Sequence, residues 1–161
     1  MTTEIPNTMR QLRSLVTADG QLELSIATVE TPQPQPNEVL VRIEAAPINP
    51  SDLGLLLATA DAQTATSSGT DDNPVVTAPI PPQTLRGLAG RSGQSMPVGN
   101  EGAGVVVAGG SSHEAQALLG KTVAIIGGAT YAEYRCVPAA LLSCSPMAQT
   151  RRTGRRASSI R

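Results

Sequence analysis

The chain has 161 residues, which is enough for one domain with a hydrophobic core but too few for a catalytic barrel together with a complete Rossmann domain. Hydrophobic residues make up 40% of the chain, no apolar run reaches the roughly 18 residues of a membrane-spanning helix, and the N-terminal stretch lacks the apolar core of a signal peptide; we therefore expect a cytoplasmic protein. The two cysteines, Cys136 and Cys144, are too few for a disulfide framework or a four-thiolate zinc site.

The formal net charge of −1 conceals an acidic body and a basic tail. Residues 1–146 carry 7 basic and all 13 acidic side chains, whereas residues 147–161 carry the other five arginines. With two tyrosines and no Phe or Trp, aromatic side chains for base stacking are scarce, so we expect no specific nucleic-acid function. The tail has no apolar periodicity; we predict that it is disordered and interpret it as a frameshift or truncation product.

The first half of the chain contains three predicted strands and one short helix. Residues 9–17 and 22–29 form the first two strands, and Asp19-Gly20 between them is a hairpin signal. Residues 38–46 alternate between apolar and polar side chains, which predicts a half-buried strand. Asn49 then precedes Pro50 and Asp52, a pattern typical of a helix N-terminus, so capping and a functional role are both open for Asn49.

Residues 59–96 differ in composition from the rest of the body, because Ala, Thr, Ser, Gly, Asp and Pro dominate there. We predict a long, partly mobile excursion with at most one or two short strands, such as residues 75–77. Residues 61–73 within it are predicted to be low-complexity disorder.

Order is expected to resume at Pro97. Strands are predicted at residues 102–108, 121–126 and 130–137, with glycine turns between them and one or two helical turns at residues 113–119. Many short strands with few helices indicate a mainly β barrel or sandwich.

Two motifs dominate the sequence: Asn49-Pro50-Ser51-Asp52 and, about fifty residues later, Gly99-Asn100-Glu101-Gly102-Ala103-Gly104. In this order, each beside an apolar β-like run, they resemble the N-terminal, GroES-like half of the medium-chain dehydrogenase/reductase family, in particular its zinc-independent quinone-reductase branch. The resemblance implies that residues 1–146 form a mainly β, partly open GroES-like barrel with a few short helices. It also implies that the Rossmann domain of a complete enzyme would follow where the tail begins. A stand-alone GroES-like binding module without catalytic activity is the alternative.

The same alignment bears on metal binding. In zinc-dependent members of the family, the first motif carries a cysteine ligand and the second a histidine ligand, and these positions fall on Asn49 and Asn100. Amides are poor zinc ligands, and four closely spaced cysteines for a structural zinc are absent from the sequence. We therefore expect no metal.

The resemblance also implies an activity, which is hydride transfer from NADPH or NADH to a small-molecule acceptor of the quinone or enone type. Asn49 and Ser51 would line the cleft beside the nicotinamide and the acceptor, and Asn100 would lie on the opposite wall. Asp52 and Glu101 would be structural. Tyr131 would either reach the cleft or lie on the barrel surface.

The glycines do not predict a cofactor site in this chain. Gly99, Gly102 and Gly104 are in the wrong order for a dinucleotide fingerprint and are followed by a strand, so we interpret them as positions of close backbone packing. The isolated chain should therefore bind no NADPH or NADH and be inactive. The lone His113 is interpreted as a solvated loop residue. An exposed apolar surface, left without its cofactor domain, would favour a homo-oligomer.

Overall fold

The computed structural model describes residues 4–144, so the predictions made for the tail fall outside the described residues. Within residues 4–144 the chain is mainly β, as predicted, and its ten strands form two five-stranded sheets. The strands are Thr8–Val16 (β1), Gln21–Glu30 (β2), Glu38–Ala45 (β3), Thr66–Gly69 (β4), Pro74–Pro79 (β5), Ser95–Pro97 (β6), Glu101–Gly109 (β7), Thr122–Ile126 (β8), Tyr134–Pro138 (β9) and Ser143–Cys144 (β10).

The first sheet has the order β4-β5-β2-β1-β6 and is built on the predicted hairpin. Strands β1 and β2 pair antiparallel from Thr8 opposite Glu30 to Val16 opposite Leu22. Gly20 in the turn has a φ of 83°, a left-handed conformation that glycine adopts without strain. The Asp-Gly signal therefore located this turn correctly.

The second sheet has the order β10-β8-β7-β3-β9 and carries the main core, which includes Val41, Val106, Val123 and Ile125. The half-buried pattern predicted for β3 is only partly right. Leu40, on the opposite face from Val41, is also buried, because it packs with Met9 of β1 and with Tyr134. The middle of β3 is thus covered on both faces.

Residues 131–133 join the two sheets. Leu12 N–H donates to the Tyr131 carbonyl and Ile43 N–H donates to the Glu133 carbonyl, each at 2.9 Å. These residues were predicted to begin a strand at 130, but β9 begins only at Tyr134, because the preceding residues cross from one sheet to the other. The result is the expected partly open barrel.

The excursion contains more regular secondary structure than predicted. It contains three strands, β4, β5 and β6, instead of at most two, and a 3₁₀ helix and β4 occupy much of the stretch predicted to be disordered. Residues 75–77 do lie in a strand, since β5 pairs with β2. The side chains of residues 61–70 are all exposed, so no apolar periodicity could reveal β4.

The helices are few and short, as expected: Pro50–Leu56 (α1), Pro82–Leu85 (α2) and His113–Ala117 (α3), with a 3₁₀ helix at Arg86–Arg91 after α2. His113 is exposed, at the start of α3 instead of in a loop. None of the helices within residues 4–144 has the length and apolar character needed to cross a membrane.

Candidate functional site

The candidate site begins at the N-terminus of α1. Asn49 has an extended backbone, with φ −95° and ψ 160°, and Pro50 occupies the first helical position. The Asp52 carboxylate turns back and accepts the Asn49 N–H at 2.8 Å. This bond satisfies a donor that the helix itself cannot pair, so the first motif encodes its own local structure.

Asp52 also connects the two sequence motifs. Its side chain is only 1% exposed, and its second oxygen accepts the Asn100 N–H at 2.9 Å. Hydrogen bonds from backbone N–H groups to a buried carboxylate are stronger than neutral ones. One carboxylate thus holds the backbones of Asn49 and Asn100 together, although they are far apart in the sequence.

A side-chain bond reinforces this connection. Asn49 Nδ2 donates to Glu101 Oε2 at 3.0 Å, so Glu101 is engaged by an amide of the first motif. Ser51 lies in the first turn of α1 with its side chain exposed. The structure therefore brings Asn49, Asn100 and Glu101 into one cluster around Asp52 and leaves Ser51 accessible beside it.

Tyr131 belongs to the same cluster. The sequence had left open whether it reaches the cleft or lies on the barrel surface. Its hydroxyl donates to the Pro47 carbonyl at 2.8 Å, just before the first motif. Burial raises the pKa of Tyr131, and the nearby Asp52 carboxylate raises it further. The phenol is thus neutral at physiological pH and braces the loop that leads into Asn49. No sequence signal could have paired it with residues 47–52.

The glycines of the second motif lie where backbone segments approach closely. Gly99 has a φ of 93°, and a Cβ on it would fall 2.6 Å from Thr130 Oγ1 and 2.7 Å from Tyr131 N. A Cβ on Gly102 would lie 3.3 Å from the Ala45 carbonyl, and one on Gly104 would overlap the Arg42 carbonyl. Gly99 and Gly104 therefore leave no room for a Cβ, Gly102 leaves little, and the absence of a side chain at Gly99 lets Tyr131 pack against the site.

The donor set fits zinc poorly. Asn49 and Asn100 contribute amides where thiolate and imidazole are preferred, and both oxygens of Asp52 already accept backbone N–H groups. Across residues 4–144, no group of three or more His, Cys, Asp or Glu side chains is arranged to hold a metal ion.

Apolar side chains flank this cluster and face solvent. Ile48 precedes Asn49 and is 73% exposed, while Ile126, the cross-strand partner of Glu101, is 80% exposed. Leu53, also exposed, is on α1 itself. An apolar rim around a polar cluster is typical of a surface that binds a ligand or another domain.

Comparison with known proteins assigns the chain to a family. Residues 35–147, more than half of the chain, match the family described as the alcohol dehydrogenase GroES-like domain. No curated protein sequence matches the chain.

Solved structures share the fold. A protein described as a putative NADPH:quinone reductase from Mesorhizobium loti superimposes with a TM-score of 0.56 at 28% identity, covering 92% of this chain and 39% of that one. A quinone oxidoreductase from Pseudomonas syringae has a TM-score of 0.51 at 22% identity, covering 85% and 33%. An alcohol dehydrogenase from E. coli, solved with NADH, has a TM-score of 0.56 at 19% identity, covering 88% and 39%.

The chain thus spans about two fifths or less of the length of these relatives. The resemblance drawn from the two motifs is confirmed for the domain as a whole. The chain belongs to the alcohol dehydrogenase GroES-like domain family and is a domain of the medium-chain dehydrogenase/reductase oxidoreductases.

Proposed function

We propose that this chain is the substrate-side domain of an NAD(P)H-dependent, zinc-independent oxidoreductase that reduces quinone or enone acceptors. When bound by a second domain, the reduced nicotinamide supplies the hydride. Two structural relatives support this proposal, since one is described as a putative NADPH:quinone reductase and another was solved with NADH.

The observation that carries the proposal is that one carboxylate holds the backbones of the two asparagines together. By the family resemblance, Asn49 and Asn100 fall where zinc-using relatives keep thiolate and imidazole. In the structure, the Asp52 carboxylate accepts the backbone N–H of both. A site in which amides take the place of these ligands suits an acceptor that needs no Lewis acid. Conjugation already makes the acceptor carbon of a quinone or enone electrophilic.

The residues of the cluster have separate tasks in this proposal. Reduction of an enone or quinone places negative charge on its oxygen, and the exposed Ser51 hydroxyl and the amides of Asn49 and Asn100 can donate hydrogen bonds to it. Glu101 holds the Asn49 amide in place through the 3.0 Å bond. Ile48 and Ile126 contact the flat apolar ring and exclude water around it.

A domain exchange tests the proposal. Residues 1–144 replace the corresponding domain of the Mesorhizobium loti protein, and NADPH oxidation is measured against quinones and enones. We expect acceptor-dependent oxidation that Asn49→Ala or Ser51→Ala lowers about 10- to 100-fold, the range expected for loss of a donor to developing charge. Asn37→Ala, an exposed loop asparagine, serves as the matched control and should leave the rate unchanged.

A chimera that folds and binds NADPH but reduces no acceptor would refute the proposal. The alternative, a stand-alone GroES-like binding module without catalytic activity, would then be favoured.

A further inference from the structure

Arg91, near the end of the excursion, contacts α1, the helix that begins at the first motif. This residue ends the 3₁₀ helix that follows α2, and one of its guanidinium nitrogens, Nη2, donates to the Leu55 carbonyl at 3.2 Å and to Ser14 Oγ at 3.0 Å. Ser14, on β1, is fully buried and donates its own hydroxyl to the same Leu55 carbonyl at 2.9 Å. The three groups form a closed triangle at the C-terminal end of α1.

These hydrogen bonds place a positive charge at the C-terminal end of α1, which has none of its own. The last turn of α1 has no basic residue of its own, and the carbonyls at a helix C-terminus favour a nearby cation. Arg91 brings that charge from 36 residues away, and Ser14 fixes the direction in which the Leu55 carbonyl points. The C-terminal end of α1 is thereby fastened to β1 and to the excursion at once.

Residues 91–100, which begin at the end of the 3₁₀ helix, also contact the N-terminal end of α1. Beyond Arg91, the Gly93 N–H donates to the Val16 carbonyl at 2.8 Å, and β6 pairs with β1, Met96 standing opposite Ser14. Three residues after β6 comes Asn100, whose N–H is held by Asp52. Residues 91–100 therefore fasten α1 at both ends, through Arg91 at its C-terminus and through Asn100 at its N-terminus.

The arrangement is costly for a purely structural contact. Arg91 Nε is buried and finds no hydrogen-bond partner among residues 4–144, and burial lowers the pKa of the guanidinium. Arg91 as a whole is only partly buried and forms no salt bridge with a carboxylate within residues 4–144, so an ion pair does not account for its place here. A single guanidinium nitrogen, Nη2, nevertheless orients two acceptors, the Ser14 hydroxyl and the Leu55 carbonyl, at the same time.

We propose that Arg91 is a positioning residue that sets the orientation of α1 and thereby the placement of Asn49 and Ser51 relative to Asn100. The excursion is then a part of the site, acting from outside the cleft. That Asn49 and Ser51 meet the acceptor rests on the proposed function, whereas their placement by Arg91 can be measured on the 161-residue chain without any ligand.

The test compares backbone amide exchange and chemical shifts by NMR in Arg91→Met, Arg91→Lys and the wild type. For Arg91→Met we expect the Asn49 and Asn100 amides to shift and to exchange about tenfold faster, relative to the core amide of Val41, because the hydrogen bonds from Arg91 to Ser14 and Leu55 are lost. Arg91→Lys should restore part of the protection, because the ammonium keeps a positive charge and hydrogen-bond donors near the Leu55 carbonyl. Arg86→Met, on the same 3₁₀ helix with an exposed side chain, is the matched control.

Wild-type exchange and shifts at Asn49 and Asn100 in Arg91→Met, with changes confined to residues 55–57, would overturn the proposal. If Arg91→Met does not fold, exchange and chemical shifts of the Asn49 and Asn100 amides are measured in Ser14→Ala and Arg91→Lys instead. A chimera without reductase activity would refute the proposed function but would leave this result unaffected.

Discussion

Replacing Asp52 by Asn preserves the shape of the side chain but changes one acceptor oxygen into a donor. In the wild type, the two oxygens accept the N–H groups of Asn49 and Asn100 at 2.8 and 2.9 Å in a site that is 1% exposed. The variant can satisfy one of these donors and turns its own NH₂ group toward the other. Hydrogen bonds to a charged group contribute about 1.5–3 kcal/mol, so we expect the free energy of unfolding to fall by about 2–3 kcal/mol.

Urea denaturation followed by far-UV circular dichroism measures this loss, with the slope of the transition checked for constancy. The control is Asp61→Asn. Asp61 also accepts a backbone N–H, from Gln63 at 3.0 Å, but it does so at an exposed 3₁₀ turn. That variant should lose no more than about 1 kcal/mol.

Amide exchange in Asp52→Asn locates the effect. Asn49 or Asn100 should lose protection, because only one of the two N–H groups keeps its acceptor. A loss below about 0.5 kcal/mol, or protection unchanged at both amides, would refute the reasoning that one carboxylate holds the two motifs together.

Four further predictions follow from particular residues. Gly99→Ala should lower the free energy of unfolding by about 2–4 kcal/mol in urea denaturation, because of the positive φ at this position and the contact with Thr130. The helical control Gly54→Ala has free space around the added Cβ and should be neutral or stabilising. Equal effects of the two substitutions would contradict the packing argument. Burial, with a contribution from Glu38, raises the pKa of Cys136 to about 11, so in a Cys144→Ser background its alkylation by iodoacetamide at pH 8 should be about 100-fold slower than in urea and should rise about tenfold per pH unit; fast alkylation below pH 9 would exclude such a shift. Elemental analysis of the purified chain should find no stoichiometric zinc, and a value near one zinc per chain would refute the interpretation of the two asparagines. Calorimetry should detect no NADPH binding to the chain alone, and low-micromolar affinity would mean that the glycines have been misinterpreted.

Local signals predicted those parts of the fold that are encoded locally. The Asp19-Gly20 turn, the extent of strand β3 and the Asn49-Pro50 helix start all depend on neighbours in the sequence, and the structure contains each of them. Strands β4 and β6 escaped prediction because they are short edge strands, β4 with every side chain exposed, and no periodicity marks them.

The candidate site shows the same division. The motifs carrying Asn49 and Asn100 could be recognised from their residues, but the contacts that join them could not. Arg91 lies 77 residues from Ser14, and Tyr131 lies 84 residues from Pro47, and only the folded backbone brings such pairs together. Leu40 lies on the face of β3 that the alternation assigns to solvent, and the sequence does not reveal that Met9 and Tyr134 cover it.

The most direct test of the central claim is the rate of NADPH-dependent quinone reduction by the chimera before and after treatment with a zinc chelator. The account predicts the same rate in both samples, because the amides of Asn49 and Asn100 take the place of metal ligands at the site. A rate that is lost on chelation and restored by added zinc would contradict it.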